Sequence, residues 1–390
     1  MPVPSAETPP PPPGPEILEA LARRAEPDGF VPFDRYMDVA LYGPGVGYYA
    51  RPRSPFGPRG DFYTAPSVHP VFARTLARRV QEVERAVGGP GPFSVVDLGC
   101  GDGTLLCGLA RALEPERKGE GPRYVAVDRA EARRSAALAE VRRCGAGIGD
   151  RARAVATLAE IGPVEGVVLA HELLDALPAR RWRWDGLAWH ELGVRIDHGA
   201  LREVEASAGR GHATPSAGLP TLTPEQAGTV AETSAAAEAL VREVADHLVS
   251  GLLVVVDFGA EEGELLAGHP RGTLAAVRSH RTVASLLEAA GETDLSSFVN
   301  FSRVRAAAGR AGLVEVAYRS QAEALGAWGF GDELDRALRA CASAEEEVRT
   351  RLAAKNLLFG FGAFRVLELA APGRAPRRRG PSDPSRAAPP

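Results

Sequence analysis

From Phe93 onward, short apolar runs alternate with stretches whose apolar residues recur at helical spacing. The apolar runs are FSVVDLG, RYVAVD, ARAVAT and GVVLAHE, and the helical stretches include TLLCGLARAL and a charged segment. This alternation predicts βαβ units, and therefore an α/β fold with a parallel, doubly wound sheet. A further run, GLLVVVDFG at 251 to 259, is apolar until Asp257, which is typical of a strand buried on both faces.

Two late apolar runs, LVEVAYR at 313 to 319 and FRVLELA at 364 to 370, are separated by a long helical region. We expect them to close the sheet as an antiparallel pair. The Ala-rich segment from Glu225 to Val249 has amphipathic spacing, and this spacing predicts a helix.

An insertion is predicted at 183 to 224, between the fourth and fifth strands of the sheet. Its first part shows partial alternation of apolar and polar residues, with turn signals at Asp185-Gly186 and His198-Gly199, which indicates a β-rich structure. Its second part, 207 to 224, is rich in Gly, Pro, Ser and Thr and is predicted to be a loop.

Both ends of the chain are predicted to be disordered tails. Residues 1 to 15 are Pro-rich, and residues 371 to 390 combine Pro, Gly and Arg, so neither end can bury enough apolar surface to become ordered. The C-terminal tail carries an excess of Arg, and a solvated tail is favoured over an anion-binding arm.

Composition and charge exclude several classes of protein. The 46 Lys and Arg residues against 50 Asp and Glu give a net charge of −4, whereas a nucleic-acid-binding protein is usually more basic. The four cysteines form no CxxC pair and are interpreted as buried small residues in a reducing compartment, with neither a zinc site nor a secreted fold. No apolar stretch reaches the ~18 residues of a transmembrane helix, and the start lacks signal-peptide features, so we expect a cytoplasmic protein.

The segment VVDLGCGDGTLL at 95 to 106 predicts a buried strand that turns tightly into a helix. Gly99, Gly101 and Gly103 permit positive φ angles and let the backbone approach a ligand without a Cβ atom in the way. A dinucleotide fold would show GxGxxG with a pyrophosphate at the helix N-terminus. Here the spacing is GxGxG, and Asp102 would repel a pyrophosphate.

The acids around this glycine loop suit a cationic ligand that lacks phosphate. Asp97 precedes the first glycine and Asp102 lies inside the loop, an arrangement that fits the sulfonium and amino groups of S-adenosylmethionine. Asp128 ends the strand RYVAVD, where an acid hydrogen-bonds ribose hydroxyls. The alternatives are an ordinary strand-to-helix turn for the loop and a solvated carboxylate for Asp128.

The segment GVVLAHELLDALP places His171, Glu172 and Asp175 at the carboxyl end of the fourth strand, where open α/β sheets bind ligands. Glu172 and Asp175 share one face if a helix begins here, and two carboxylates beside a cationic cofactor could orient a guanidinium or amine substrate. The alternative is that both acids complement a helix dipole. His171 is a candidate base or a packed residue, and Asp257 is a cleft residue or a loop acid.

From about Phe30 to Leu369 the chain resembles the MidA-type family of class I S-adenosylmethionine-dependent methyltransferases. Mitochondrial members of that family methylate an arginine of a respiratory complex I subunit and aid its assembly. The resemblance is carried by the glycine loop and by motifs in the same order, namely FDRYMDVALYGPGVGYY at 33 to 49, GDFYTAP at 60 to 66, HELLDALPARRW at 171 to 182, VVDFG at 255 to 259, GTLAAVRSH at 272 to 280, DLSSFVNF at 294 to 301 and FRVL at 364 to 367.

The resemblance implies a Rossmann-like methyltransferase core under an N-terminal helical cap. The implied boundaries are 16 to 70 for the cap, 71 to 182 and 225 to 370 for the core, and 183 to 224 for the insertion and loop. It also implies cofactor contacts at Gly60, Asp61 and Thr64 as well as at the glycine loop, and it assigns the key acids to Glu172 and Asp175. The chain departs from the family pattern at four positions, which are Ser67, His171, Phe258 and Asn300.

The sequence therefore predicts an S-adenosylmethionine-dependent methyltransferase that methylates a protein arginine side chain. Glu172 is expected to orient the acceptor nitrogen, and Asp175 or His171 to assist proton removal. A small-molecule methyltransferase and a non-catalytic assembly factor that retains the cofactor fold are the alternatives. We expect no metal, membrane or nucleic-acid partner, and the oligomeric state stays open.

Overall fold

A computed structural model describes residues 13–50, 65–88, 92–114, 121–206, 218–278 and 281–371. Most of the two predicted tails and residues 207–217 of the predicted loop lie outside the described residues. Residue 15, which was assigned to the N-terminal tail, begins the first helix.

The helices of the described ranges alternate with strands along most of the chain. Each of them is too short or too polar to traverse a lipid bilayer. They are α1 (Pro15–Ala22), α2 (Phe33–Tyr42), α3 (Ala65–Val68), α4 (Val71–Val87), α5 (Thr104–Leu113), α6 (Glu131–Arg142), α7 (Ala146–Gly149), α8 (Ala235–His247), α9 (Glu262–Gly268), α10 (Phe301–Arg310), α11 (Gln321–Ala327), α12 (Phe330–Arg339) and α13 (Ala344–Lys355).

The strands of the same ranges form three sheets. They are β1 (Val31–Pro32), β2 (Ser94–Leu98), β3 (Arg123–Val127), β4 (Ala152–Val155), β5 (Val164–His171), β6 (Arg180–Trp184), β7 (Trp189–Asp197), β8 (Ala200–Glu205), β9 (Val230–Thr233), β10 (Leu248–Ala260), β11 (Ala275–Arg278), β12 (Arg281–Thr282), β13 (Asp294–Ser296), β14 (Val299–Asn300), β15 (Val314–Ser320) and β16 (Phe364–Ala370).

The main sheet has the order β15-β16-β10-β5-β2-β3-β4, and β14 adds to β10. The strands from β4 to β10 are parallel, whereas β16 is antiparallel to β10 and to β15. The doubly wound α/β fold and the antiparallel closure predicted from the two late apolar runs are therefore confirmed.

The central strands are apolar throughout because helices cover both faces of the sheet. Successive side chains of a strand point to opposite faces. Val95 and Val254 accordingly join the core that α4 and α5 cover, whereas Val96 and Leu253 join the core beneath α8 and α10. Burial on both sides makes this sheet a rigid platform for the loops at its carboxyl edge.

A second sheet combines the cap with the predicted insertion. Its order is β1-β7-β6-β9, with β8 paired to β7, and β1 of the cap joins it through the pairing of Val31 with Val194. The helices α1 and α2 pack on this sheet around Phe33 and Tyr36, together with Ala276 and Leu295 from the small sheet of β11 to β13. Described residues of the segments 16–70, 183–224 and 225–370 thus share one core.

The helix predicted from Glu225 to Val249 is shorter in the structure. The prediction is wrong for its first ten residues and for Leu248 and Val249, which begin β10. A 3-10 turn at Pro224–Gln226 and the strand β9 precede α8. Gly228 has a φ of +93°, which ends the turn, and the Ser234 hydroxyl accepts a hydrogen bond from the backbone N–H of Ala237, which starts the helix. The abundant alanines conceal these two boundary signals.

The cysteines also differ from the prediction. In the structure Cys107 of α5 forms a disulfide with Cys144, so the interpretation of these two cysteines as buried small residues in a reducing compartment is wrong. Cys100 and Cys341 are free thiols, and Cys100 is buried.

Candidate active site

The two predicted motifs meet at one edge of the main sheet. β2 and β5 are neighbours, and their carboxyl ends lead into the glycine loop and into the segment that carries Glu172 and Asp175. The strand order reverses here, since β3 and β4 lie beyond β2 whereas β10 lies beyond β5. Such a switch point opens a crevice in which α/β proteins bind ligands.

The glycine loop has the backbone that its sequence requires. Gly99, Gly101 and Gly103 have φ angles of +65°, +54° and +84°, in the left-handed region that favours glycine. The N–H groups of Gly99 and Cys100 donate to the carbonyl of Val127 at 2.8 and 3.2 Å, which ties the loop to the end of β3.

Two of these glycines also have a packing role. A Cβ atom on Gly99 would lie 2.6 Å from Cδ1 of Leu173, and one on Gly103 would lie 2.7 Å from Cα of Ala137 in α6. The second contact is with backbone, which cannot move aside without shifting α6. At Gly103 the loop therefore approaches α6 more closely than any other residue type would permit, whereas at Gly99 the flexible end of Leu173 can move aside.

Three carboxyl groups surround the loop, as the sequence predicts. Burial, together with the negative charges of Asp128 and Asp102, raises the pKa of Asp97 to about 8. Burial also raises the pKa of Asp128, against the opposing effects of backbone N–H groups, including that of Gly101, and of Arg133. This concentration of buried acid fits a cationic ligand, and the residues present therefore suit S-adenosylmethionine.

Asp102 acts on the adjoining helix as well. Its Oδ1 accepts hydrogen bonds from the backbone N–H of Thr104 at 3.1 Å and from the hydroxyl of Thr104 at 2.7 Å, so it stabilises the start of α5. The predicted cofactor residues Gly60, Asp61 and Thr64 lie outside the described residues.

Glu172 follows β5 in a strained conformation. Its φ is +50°, which is rare for a residue with a side chain and concentrates at functional sites. Its N–H donates to the carbonyl of Val256 on β10 at 2.8 Å, and its Oε1 accepts from the N–H of Ala65 at 3.2 Å. Burial and the charge of Asp175 raise the pKa of Glu172 to about 8, so at neutral pH without a cation this carboxyl keeps its proton.

Asp175 lies in the 3-10 turn Leu174–Ala176. The α-helix that would place Glu172 and Asp175 on one face does not begin here. The residue is only 8% exposed, and its Oδ1 has no hydrogen-bond partner among the described residues. Burial and the charges of Asp257 and Asp294 raise its pKa well above the ordinary value. The two candidate acids are thus close enough to interact electrostatically, although they share no helix face.

Asp257 holds this turn in place. Its Oδ2 accepts from the N–H groups of Leu173, Leu174 and Asp175 at 3.1, 2.9 and 3.3 Å, and its Oδ1 accepts from the N–H of Phe258 at 2.9 Å. It is fully buried at the end of β10. Asp257 is therefore neither a solvated loop acid nor free to bind a substrate, and it positions the segment that carries Asp175.

The surroundings of His171 favour a packing role over a role as base. Its ring packs edge-on against Phe72 with the centroids 5.3 Å apart, and its Nε2 is buried without a hydrogen-bond partner in the described part of the chain. Burial lowers the pKa of His171 to about 3. The imidazole thus stays neutral at physiological pH and attracts a proton weakly.

Sequence reasoning missed three residues that the fold brings to this site. The hydroxyl of Tyr49 donates to Oδ1 of Asp294 at 2.7 Å, and the ring of Tyr49 stacks on that of Tyr42 with the centroids 5.5 Å apart. The hydroxyl of Tyr42 donates to the carbonyl of Ala176, beside Asp175. These residues lie in the motifs FDRYMDVALYGPGVGYY and DLSSFVNF, to which no chemistry had been assigned.

Two of the departures from the family pattern have structural roles. The side chain of Asn300 caps α10 by accepting from the N–H of Arg303, and its Nδ2 donates to Glu262 at 3.1 Å. Phe258 packs against Phe298 with the ring centroids 5.2 Å apart. Within the described ranges, no group of three or more His, Cys, Asp or Glu residues is arranged to hold a metal ion.

Comparison with known proteins connects this site to methyl transfer. The family model for S-adenosyl-L-methionine-dependent methyltransferases matches residues 75–318. A Burkholderia thailandensis protein solved with bound S-adenosyl-homocysteine is 33% identical, with a TM-score of 0.81 over 93% of this chain and 95% of its own.

Curated relatives are more distant in sequence. The mitochondrial protein arginine methyltransferase NDUFAF7 homolog of Drosophila melanogaster is 26% identical over 74% of this chain and 69% of its own length. The mitochondrial protein arginine methyltransferase NDUFAF7 of Danio rerio is 26% identical over 75% of this chain and 72% of its own length.

Proposed function

The chain belongs to the family of S-adenosyl-L-methionine-dependent methyltransferases, and we propose that it methylates an arginine side chain of a protein. The observation that carries this proposal is the pair of buried acids Glu172 and Asp175 beside the glycine loop. Oδ1 of Asp175 has no hydrogen-bond partner in the part of the chain that the structure describes. The names of the curated relatives support the same acceptor.

The cofactor is S-adenosylmethionine, and the residues proposed to hold it surround the glycine loop. Gly99, Gly101 and Gly103 present a backbone without Cβ atoms, Asp97 supplies a buried carboxyl that would ionise beside the cationic cofactor, and Asp128 would bind the ribose hydroxyls. The predicted contacts of Gly60, Asp61 and Thr64 stay part of this proposal. When bound, the cofactor supplies a methyl group on a cationic sulfur that leaves as a neutral thioether.

We call the buried site formed by Glu172 and Asp175 the acceptor pocket. A guanidinium suits this site because it compensates two negative charges at once. Burial raises the pKa of both carboxyls; the charge of Asp175 adds to the rise at Glu172, and the charges of Asp257 and Asp294 add to the rise at Asp175. A planar guanidinium offers several N–H donors in a fixed geometry that matches carboxylates. Its binding lowers both pKa values, so both carboxyls ionise when the acceptor arrives.

The chemistry asked of the protein is orientation and proton removal. Glu172 would hold the acceptor nitrogen in line with the methyl group, and positioning of this kind supplies a large part of the rate. As the carbon–nitrogen bond forms and the carbon–sulfur bond breaks, the nitrogen gives up one proton. Asp175, raised in pKa by its surroundings, would receive that proton and release it to solvent.

The test is methyl transfer from S-adenosylmethionine that is deuterated at its methyl group. Protein and metabolite pools from cells that lack this enzyme are incubated separately with the purified enzyme and analysed by mass spectrometry. The proposal expects label on arginine in the protein pool, and no label with Glu172→Gln. Label in the metabolite pool alone would establish the small-molecule alternative, and cofactor binding without label in either pool would favour the assembly factor.

The predicted domain boundaries and the cytoplasmic location are also kept as proposals. The curated relatives are named mitochondrial proteins, whereas we propose a cytoplasmic location for this chain. Fractionation of the source cells, followed by immunoblotting, distinguishes them.

A further inference from the structure

A third acid, Asp294, lies beside Asp175. The role inferred for it below rests on the proposed function. Asp294 begins β13, is 2% exposed, and lies close enough to Asp175 to raise its pKa. The two segments are tied together, because the N–H of Ser297 donates to the carbonyl of Asp175 at 2.9 Å. The acid is therefore fixed relative to the turn that carries Asp175.

The cap orients this acid through a tyrosine. Tyr49 donates its hydroxyl to Oδ1 of Asp294 at 2.7 Å. Tyr49 is itself held by two rings, since it stacks on Tyr42 and meets Tyr48 edge-on with the centroids 5.1 Å apart. Burial and the charge of Asp294 raise the pKa of Tyr49 well above its ordinary value, so the hydroxyl remains a donor.

A second observation, on the neighbouring carboxyl of Asp175, indicates a missing ligand at this site. Oδ1 of Asp175 is buried, lies in a residue that is nine-tenths covered, and has no partner among the described residues. An unsatisfied buried oxygen atom costs free energy that a structural role would not explain. Its neighbours Asp257 and Asp294 are acids, so a donor with positive charge would satisfy this oxygen and offset the surrounding negative charge.

We infer that Asp294 is a substrate-binding carboxylate that selects a guanidinium, and that Tyr49 is its positioning residue. Glu172, Asp175 and Asp294 come from two separate segments and offer acceptors to more than one edge of a planar cation. An ammonium group, with three donors at one atom, cannot engage separate carboxylates in the same way.

The test measures the binding of N-acetyl-arginine amide to the protein saturated with S-adenosyl-homocysteine, by calorimetry. N-acetyl-lysine amide and N-acetyl-citrulline amide serve as the matched cationic and neutral probes. We expect Asp294→Asn to weaken binding of the arginine probe by about tenfold or more, as for a lost charge-assisted hydrogen bond. Tyr49→Phe should weaken it by a smaller factor and reduce the preference for arginine over lysine.

Tyr36→Phe is the matched control for the cap. The hydroxyl of Tyr36 donates to the carbonyl of Leu286 at 2.8 Å, so this variant removes a cap hydrogen bond that does not involve an acid of the pocket. We expect it to leave the arginine affinity and the preference over lysine unchanged. In each variant, binding of S-adenosyl-homocysteine within about twofold of the wild type shows that the fold is intact.

The outcomes separate this inference from the function on which it rests. Equal arginine affinity in the wild type and Asp294→Asn would overturn the role of Asp294 while leaving the arginine proposal standing. A wild type that binds S-adenosyl-homocysteine but prefers the lysine or citrulline probe would overturn both. In turnover assays, the inference expects Asp294→Asn to raise KM for an arginine acceptor more than it lowers kcat, whereas misfolding would lower the active fraction alone.

Discussion

Replacing Glu172 with glutamine should stabilise the fold while abolishing turnover. The wild-type carboxyl is buried with a neighbouring acid and keeps a backbone donor, the N–H of Ala65. Glutamine retains the acceptor oxygen for that N–H but cannot ionise. The variant therefore removes the free-energy cost of protonating this carboxyl on folding, and it also removes the group that orients the acceptor.

The magnitude follows from the raised pKa. The pKa of Glu172 rises from 4.5 to about 8, so the folded state holds a proton that the unfolded chain releases between these values. Stability therefore falls as pH rises through that window. At pH 7, which is about 2.5 units above the unfolded value, the cost at about 1.36 kcal/mol per unit is about 3 kcal/mol. At pH 5 the same calculation gives about 1 kcal/mol.

The assay is urea unfolding at pH 5, 6 and 7, followed by tryptophan fluorescence. Trp182, Trp184 and Trp189 are buried in the second sheet, and Trp328 is buried against the main sheet, so both regions report unfolding. We expect the glutamine variant to gain about 2 kcal/mol relative to the wild type between pH 5 and pH 7. Affinity for S-adenosyl-homocysteine should stay within about twofold.

Glu368→Gln is a matched control with the opposite expectation. Glu368 is fully buried, but Arg79 and Arg319 contact its two oxygens at 2.5 and 2.8 Å. Removing its charge deprives two arginines of a buried carboxylate, although Arg79 keeps its contact with Glu82, and should destabilise the protein. A stability difference between wild type and Glu172→Gln that does not change with pH would refute the reasoning, and so would full turnover by the variant.

Three further predictions concern the remaining residues of the site. Gly103→Ala should lower the free energy of unfolding by about 1 to 3 kcal/mol in urea titrations, because its Cβ would lie 2.7 Å from Cα of Ala137; unchanged stability would contradict the close approach of α6. His171→Asn should leave the pH dependence of kcat unchanged, because burial lowers the pKa of His171 to about 3. If the variant loses one of the pH transitions of kcat seen in the wild type, His171 acts as a base. Asp128→Asn should weaken S-adenosyl-homocysteine binding by about tenfold in calorimetry without weakening the arginine probe's preference over lysine; equal cofactor affinity would exclude its ribose contact.

The sequence predicts the parts of the molecule that local patterns determine. Continuous apolar runs identify the strands of the main sheet, and the glycine spacing identifies the loop after β2, because both depend on neighbours along the chain. Glu172 and Asp175 were found for the same reason, since they follow a strand directly.

What the sequence could not predict depends on distant contacts. Tyr49 and Asp294 are 245 positions apart, so no local pattern connects them. The role of Asp257 is also non-local, because it accepts from backbone N–H groups more than 80 positions earlier. The neutral state of His171 follows from its burial against Phe72, which only the fold reveals.

A crystal structure of the protein with S-adenosyl-homocysteine and N-acetyl-arginine amide tests the central claim most directly. The account predicts the cofactor product at the glycine loop beside Asp128, and the guanidinium within hydrogen-bond distance of Glu172 and Asp175. Cofactor product at the loop with the arginine side chain bound elsewhere, or with the pocket of these acids empty, would contradict it.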